Sequence, residues 1–276
     1  MPPPPDMDAD ARPRGAESSA ALPETPDLPQ PGRWRLGVAL WLLGMPGVVA
    51  VVWALLPPLA ASQALLPLPL WAVLFLSGLQ TAVMLALAVA AGVLLAPRVG
   101  LGAPVLAAWL SGVPGTRVHV SRWLVPGAWG GLAGAAWLFM LSAIAPESLR
   151  PAEAGGDVVT VLVKLLYGGV TEELLVRWGV MTLVLWGAWR LVQRGRGTPG
   201  RGLVAMAIVA SALLFALGHL PAAQAMAGSL TMPVVLFVLV GNTAFGLLAG
   251  WLFARRGLEA AITAHVLAHA LSTPWM

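Results

Sequence analysis

The chain contains no cysteine and carries very little charge. Without cysteine in its 276 residues it has no disulfide, no thiol nucleophile and no thiolate metal site. Only 10% of the residues are charged, against about 25% in a typical soluble domain. So few charges could not cover a water-exposed surface, and this deficit excludes an ordinary soluble domain.

Long apolar runs take the place of charge. The chain is 58% hydrophobic, its mean hydropathy is +0.82, and apolar runs long enough to cross a bilayer recur along it. These runs lack the polar face of a soluble helix. The sequence therefore predicts an all-α, polytopic transmembrane bundle of about seven spans. The predicted spans are 36–57, 70–96, 123–146, 158–189, 202–219, 232–254 and 258–274.

The basic residues alternate from one side of the predicted bundle to the other. The N-terminal tail and every second loop hold 13 of the 16 lysine and arginine residues, whereas the opposite loops hold only Arg150. The positive-inside rule therefore predicts a cytoplasmic N-terminus. Residues 1–33, rich in proline and acidic residues, predict a disordered cytoplasmic tail before a membrane domain over 34–276. The composition is typical of a bacterial protein, which suggests the inner membrane.

Two smaller features concern helix packing. The segment 101–110 is apolar but too short to cross, so we expect a short interfacial or re-entrant helix there. The pairs Gly130 with Gly134 and Gly246 with Gly250 have the spacing that lets neighbouring membrane helices approach closely. The basic residues follow from topology alone, so no nucleic acid partner is expected.

Few ionisable residues fall inside the spans. An ionisable side chain in hydrocarbon costs at least about 2.5–3.5 kcal/mol, so each one needs a reason to be there. Among the 12 acidic residues, Glu172 and Glu173 are the two that lie in a span away from its ends. Their side chains diverge by roughly 100° on an α-helix. Glu173 shares a face with Arg177, four residues on, so we expect these two to pair and Glu172 to face a different partner.

Three of the four histidines also lie in spans. His265 and His269 share a face of the last span, and His219 ends the fifth, one turn after Phe215. We expect Glu172 and these histidines to meet at one cavity, with Glu173 pointing away from them towards Arg177. Buried glutamate is suited to general base catalysis, and histidine N–H groups are suited to oxyanion stabilisation, which together favour hydrolysis inside the membrane. Counting residues from the basic ends suggests a cavity in the inner half or middle of the bilayer, more easily reached from the cytoplasmic side.

Three motifs resemble one protein family. The run 172–177, Glu-Glu-Leu-Leu-Val-Arg, is similar to the E-E-x-x-x-R motif of type II CAAX prenyl endopeptidases, a group that includes bacteriocin-processing, abortive-infection and lysostaphin-resistance-like proteins. The run 215–219 is similar to F-x-x-x-H, and 265–269 to H-x-x-x-N or H-x-x-x-D. The resemblance covers about 100–272. It departs from the family at 269, where this chain has histidine.

The resemblance implies a glutamate-dependent intramembrane endopeptidase without a cofactor. Glu172 and His219 would activate the attacking water, and His265 and His269 would stabilise the oxyanion. The implied supporting residues are Glu173, Arg177 and Phe215. A peptide or membrane-protein substrate is expected, and a prenylated one is not, since bacteria generally lack prenylation.

Three alternatives remain open on the sequence alone. A zinc ion held by Glu172, His219 and His265 would suit one carboxylate with two histidines. A non-catalytic immunity factor, chaperone or scaffold would keep the fold without turnover. A proton or ion carrier would need a continuous polar path, for which the spans offer little beyond Gln80, Asn242 and a few hydroxyl groups.

Overall fold

The structure is a bundle of helices. A computed structural model describes residues 31–61, 68–112, 116–150 and 157–273, without the side chains of 116–119. Its helices are α1 Arg33–Ala61, α2 Leu70–Leu95, α3 Pro104–Leu110, α4 Thr116–Ile144, α5 158–192, α6 Arg201–Gly218, α7 Leu220–Ala227, α8 Met232–Arg256 and α9 Leu258–Ser272. The predicted all-α fold is confirmed. The predicted disordered tail lies almost wholly outside the described residues.

Five stretches of helix are long and apolar enough to cross a membrane. They are α1, α2 with the turn that follows it, most of α4, α6 with α7, and α8. The other two predicted spans also form helices, α5 and α9. The 15 residues of α9 reach only about 22 Å, less than the hydrocarbon thickness of about 30 Å. Large apolar side chains such as Trp71, Phe75 and Leu87 face outwards, as a surface in contact with lipid requires.

The helix α5 is wound more loosely than an ordinary α-helix. Asp157 caps its start by accepting a hydrogen bond of 2.7 Å from the Thr160 N–H, which holds the pKa of that exposed carboxyl below its usual value. Beyond the first turn, Val163–Thr171 and Leu174–Met181 form π-helical turns with i→i+5 hydrogen bonds. Because a π turn contains more residues than an α turn, α5 is shorter than an α-helix with the same number of residues. This shortening brings the length of α5 closer to the thickness of the bilayer.

The helices α1, α2 and α5 bury several large side chains between them. Leu85, Leu174, Trp178 and Met181 are almost completely buried between these helices. The Trp178 indole N–H donates to the Val89 carbonyl across 3.2 Å. This apolar packing holds α5, which carries both buried glutamates, against the rest of the bundle.

Glycines bring α4, α6, α8 and α9 close together, as the spacing predicts. A Cβ on Gly134 would lie 2.8 Å from a ring carbon of Phe245 and 2.9 Å from the Cβ of Ala268. A Cβ on Gly246 would lie 2.9 Å from the Cβ of Ala212. Both gaps are too small for another methyl group, so these glycines set how closely the helices can approach.

A tight turn at Gly257 reverses the chain between α8 and α9. Its φ of 90° is one that glycine adopts without strain. A Cβ there would lie 2.5 Å from Pro104 at the start of α3, and the Leu258 N–H donates to the Gly102 carbonyl across 3.0 Å. The predicted short helix is thus confirmed as α3, and it packs beside the start of α9.

Candidate active site

The polar side chains of α5, α6 and α9 converge beside a cavity of about 430 Å³. Three of the predicted site residues, His219, His265 and His269, line it together with Phe215. Glu172 lies next to this wall, with 18% of its side chain exposed and an oxygen near His219. The structure therefore brings together the four residues that sequence analysis places in one site.

Glu173 and Arg177 form a buried pair on α5. Glu173 Oε2 lies 3.3 Å from Arg177 Nε, and both side chains are completely buried. Arg177 Nη2 donates to the Gly246 carbonyl across 3.4 Å, and its guanidinium carbon lies 4.8 Å from the centre of the Phe215 ring. Within the described part of the chain, Arg177 Nε and Nη1 have no hydrogen-bond partner. Charge and ring contact, more than hydrogen bonding, therefore hold this pair.

The second contact of Glu173 was not expected. Its Oε1 lies 2.8 Å from His265 Nδ1. A carboxylate beside a permanently charged guanidinium can only accept, so the His265 Nδ1 must donate. The prediction that Glu173 pairs with Arg177 agrees with this geometry, whereas the prediction that it points away from the histidines is wrong. The hydrogen bond fixes the ring of His265 and leaves its Nε2 as the nitrogen available to the cavity.

His219 ends α6 and is held by the backbone of its own helix. Its Nδ1 lies 2.8 Å from the Phe215 carbonyl, which can only accept, so Nδ1 carries a proton. In the neutral ring Nε2 is then an acceptor, and it lies 4.0 Å from Glu172 Oε1. Two acceptors thus face each other across a gap that is too long for a direct hydrogen bond.

Two phenylalanines fix the planes of the imidazole rings. Phe215 meets His219 edge-on with centroids 4.5 Å apart, and it meets His265 at 6.0 Å. Phe245 of α8 also contacts His265, with ring centroids 4.5 Å apart. The spacing from Phe215 to His219 identified Phe215 in the sequence, whereas no motif pointed to Phe245. The adjacent Gly246 is one of the predicted packing glycines, and it was the feature of the sequence that indicated a close helix contact near Phe245.

His269 occupies the space between His265 and α5. Its ring stacks on His265 with centroids 4.9 Å apart and planes inclined by 28°. A Cβ on Gly168 would lie 3.1 Å from His269 Nε2 and 3.9 Å from Glu172 Oε2. The absence of a side chain at Gly168 therefore lets His269 lie beside Glu172. No sequence pattern indicated a role for this glycine, since its role comes only from packing between distant helices.

The cavity lies towards the helix ends opposite the basic loops. Ala145, Leu149 and Arg150, which follow the C-terminal half of α4, form part of its wall. His219 is likewise at the end of α6 that is remote from Arg201. The expectation that the cavity is reached from the side of the basic loops is wrong. It counted the uniform rise of an α-helix along each span, which the π turns of α5 do not follow.

The described side chains do not form a ready-made metal site. Among residues 31–61, 68–112, 120–150 and 157–273, no group of three histidine, aspartate or glutamate side chains has a spacing suited to a metal ion. His265 and His219 each use Nδ1 for a hydrogen bond. The zinc alternative thus has acceptor atoms in the right region but no preformed set of three ligands.

Comparison with known protein families identifies the segment that carries this site. Residues 154–271 match a family model described as Rce1-like, type II CAAX prenyl endopeptidase Rce1-like. The matched segment is less than half of the chain, and it is similar to that family. Comparison with curated proteins and with solved structures gave no match.

The family segment includes all the glutamates and histidines of the site. It runs from just before α5 to the end of α9, whereas α1 to α4 lie outside the match. The match is shorter than the stretch of about 100–272 over which the motifs suggested a resemblance. The Rce1-like family supports a protease, a type of hydrolase, as the class of this membrane protein.

Proposed function

We propose that this protein is a metal-free intramembrane endopeptidase in which Glu172 and His219 activate the attacking water. The substrate is a peptide or the peptide chain of another membrane protein. The reaction is hydrolysis of one peptide bond within the cavity. The proposal rests on the protease family of residues 154–271 and on the arrangement of acceptors beside the cavity.

The gap between Glu172 and His219 is the observation that carries the proposal. Their facing atoms, Oε1 and Nε2, are both acceptors and lie 4.0 Å apart. Each needs a donor, and a water molecule at a hydrogen-bonding distance of about 2.8 Å from both atoms would donate one hydrogen to each. The oxygen of that water keeps its lone pairs free to attack a carbonyl carbon.

The reaction follows from these positions. As the water oxygen bonds to the carbonyl carbon, one of its protons passes to Glu172 and the carbonyl oxygen becomes an oxyanion. The proton then moves to the departing nitrogen when the carbon–nitrogen bond breaks. Glu172 is thus base first and acid second, as its partly buried position allows.

His265 has a defined part in this scheme. Its Nδ1 is occupied by Glu173, so it donates from Nε2 only as an imidazolium ion. The adjacent Glu173 carboxylate stabilises that charge, and Arg177 balances the carboxylate in turn. The four charges of Glu172, Glu173, Arg177 and His265 then sum to zero, which suits a site in hydrocarbon. We propose that this imidazolium stabilises the oxyanion, with His269 stacked against it.

The walls of the cavity match an apolar substrate. Leu138, Leu141, Phe237 and Val238 line it alongside the histidines. A volume of about 430 Å³ is within the range of sites that bind small molecules or a few amino-acid side chains. An extended apolar peptide segment entering from the membrane or from the open end of the bundle would fit these walls.

A comparison of wild type with Glu172→Gln tests the proposal. Glutamine keeps the size of the side chain but cannot take the proton, so cleavage should fall about 10²–10⁴-fold. Peptide ends would be compared in membranes of cells expressing each form, and the junction found would be assayed as a quenched fluorescent peptide. Glu147→Gln, at an exposed carboxylate, is the matched control and should keep wild-type activity.

Two results would argue against this function. Cleavage by Glu172→Gln at the wild-type rate would exclude Glu172 as the base. If Glu172→Gln also kept every cellular effect of the wild type, a non-catalytic immunity or scaffold role would be favoured instead. Chelators test whether the reaction proceeds without a metal. EDTA and phenanthroline should leave the cleavage rate within about twofold of its value without chelator. A loss of cleavage that added zinc restores would favour a zinc enzyme.

A further inference from the structure

One polar side chain in the cavity wall has no part in the reaction described above. Asn242 of α8 is half-buried and lines the cavity. Its Nδ2 donates to the Val238 carbonyl across 2.8 Å. Within the described part of the chain, its Oδ1 and its second N–H have no partner. An amide half-satisfied inside a membrane helix is costly unless another molecule completes its hydrogen bonds.

The position of Asn242 along the bundle follows from the turn at Gly257. The helices α8 and α9 are antiparallel neighbours. Moving back along α8 from Phe245 and moving forward along α9 from His265 therefore both lead away from the turn at Gly257. Phe245 and His265 are in ring contact at 4.5 Å. Asn242 is three residues from Phe245, about 4.5 Å, and His269 is four from His265, about 6 Å. Asn242 therefore lies close to the level of His269.

The two side chains at this level present different chemistry to the cavity. The Nε2 of His269 lies against the backbone of α5 at Gly168. Asn242 belongs to α8 and has an N–H group to offer. One N–H of the amide donates to the Val238 carbonyl, which fixes the plane of the amide and the direction of the other N–H. The second N–H is therefore already oriented before substrate binds, and no entropy is lost in orienting it during the reaction.

We propose that Asn242 is a second oxyanion donor, giving its free Nδ2–H to the carbonyl oxygen of the scissile bond as water adds to the carbon. The inference rests on the hydrolytic function proposed above. A donor aimed at developing charge acts mainly in the transition state, so its loss lowers kcat and leaves KM nearly unchanged. Removing one such donor typically costs about 10²–10³-fold in kcat.

Two substitutions test the inference. Asn242→Leu removes the amide, and Asn242→Asp keeps its shape but removes both N–H groups. Each should lower kcat about 10²–10³-fold on the quenched peptide, with KM within about threefold. Thr243→Val, at the next and also half-buried residue of α8, is the matched control and should keep wild-type kcat.

A binding measurement separates this role from a purely structural one. A peptide with a phosphinate in place of the scissile bond carries the tetrahedral anionic centre, and its affinity should fall about 100-fold in Asn242→Leu. Affinity for the ordinary peptide, measured on a Glu172→Gln background, should change less than threefold. Equal losses for both peptides, or wild-type kcat in both Asn242 variants, would overturn the inference. If the wild-type protein showed no Glu172-dependent cleavage, both the proposed function and the role of Asn242 would be refuted.

Discussion

The contact between Gly168 and His269 predicts a substitution that lowers activity without unfolding the protein. In Gly168→Ala the new Cβ would lie 3.1 Å from His269 Nε2 and 3.3 Å from its Cδ2. Carbon atoms and ring atoms normally approach no closer than about 3.5 Å, so the imidazole must retreat by about 0.4 Å. This movement of the ring would also change its stacking on His265.

The expected effect is modest and measurable. Since a displacement of about 1 Å costs an enzyme about 10²-fold, a shift of about 0.4 Å should lower kcat roughly 3–10-fold. Alanine is favoured over glycine in a helix by about 0.5–1 kcal/mol, which offsets part of the steric cost. The free energy of unfolding should therefore change by less than about 1 kcal/mol.

Gly187→Ala provides the matched control for this experiment. Gly187 lies in the same helix, and no atom lies within 4 Å of a Cβ placed there. It should keep full activity and show equal or higher stability. Both variants would be assayed with the quenched peptide and by thermal unfolding in detergent. Wild-type kcat in Gly168→Ala would refute the view that the position of His269 matters to the reaction.

Two further predictions concern the buried charges and the orientation in the membrane. Glu173→Gln should lower the free energy of unfolding by about 3–5 kcal/mol because Arg177 is left without a counter-ion. Adding Arg177→Met should restore most of the stability but not the activity. Equal stability of Glu173→Gln and wild type would contradict the role of Glu173 as that counter-ion. Reporter fusions should read outside at Arg150 and inside at Arg196 and Arg256, following the basic loops; a reversed result at two of these sites would overturn a cytoplasmic N-terminus.

The sequence was informative wherever the physical signal is local. Hydropathy is summed over some twenty consecutive residues, so the helices of the seven predicted spans could be located directly, five of which are long and apolar enough to cross a membrane. Rare charges in apolar runs identified Glu172, Glu173 and Arg177, and helical spacing gave the pair Phe215 with His219. The glycine pairs of α4 and α8 were found in the same way, because helix contacts repeat every three or four residues.

The contacts between distant segments could be seen only in the folded protein. The hydrogen bond from His265 to Glu173 joins residues 92 positions apart. No spacing rule relates them, and the angle between neighbouring glutamates in an ideal α-helix gave the wrong orientation. The π turns of α5 also lay beyond sequence analysis, because hydropathy does not distinguish i→i+5 from i→i+4 hydrogen bonding.

Hydropathy along the chain therefore indicates which polar side chains lie inside the membrane, whereas the packing of the helices fixes which of them act together. Burying a carboxylate is costly, so a small set of candidates stands out in any apolar chain. Whether such a group bonds to histidine, faces a cavity or pairs with arginine depends on how helices pack. At this site, Gly168 admits His269, Phe245 contacts His265, and the turn at Gly257 lets Asn242 and His269 reach the same level.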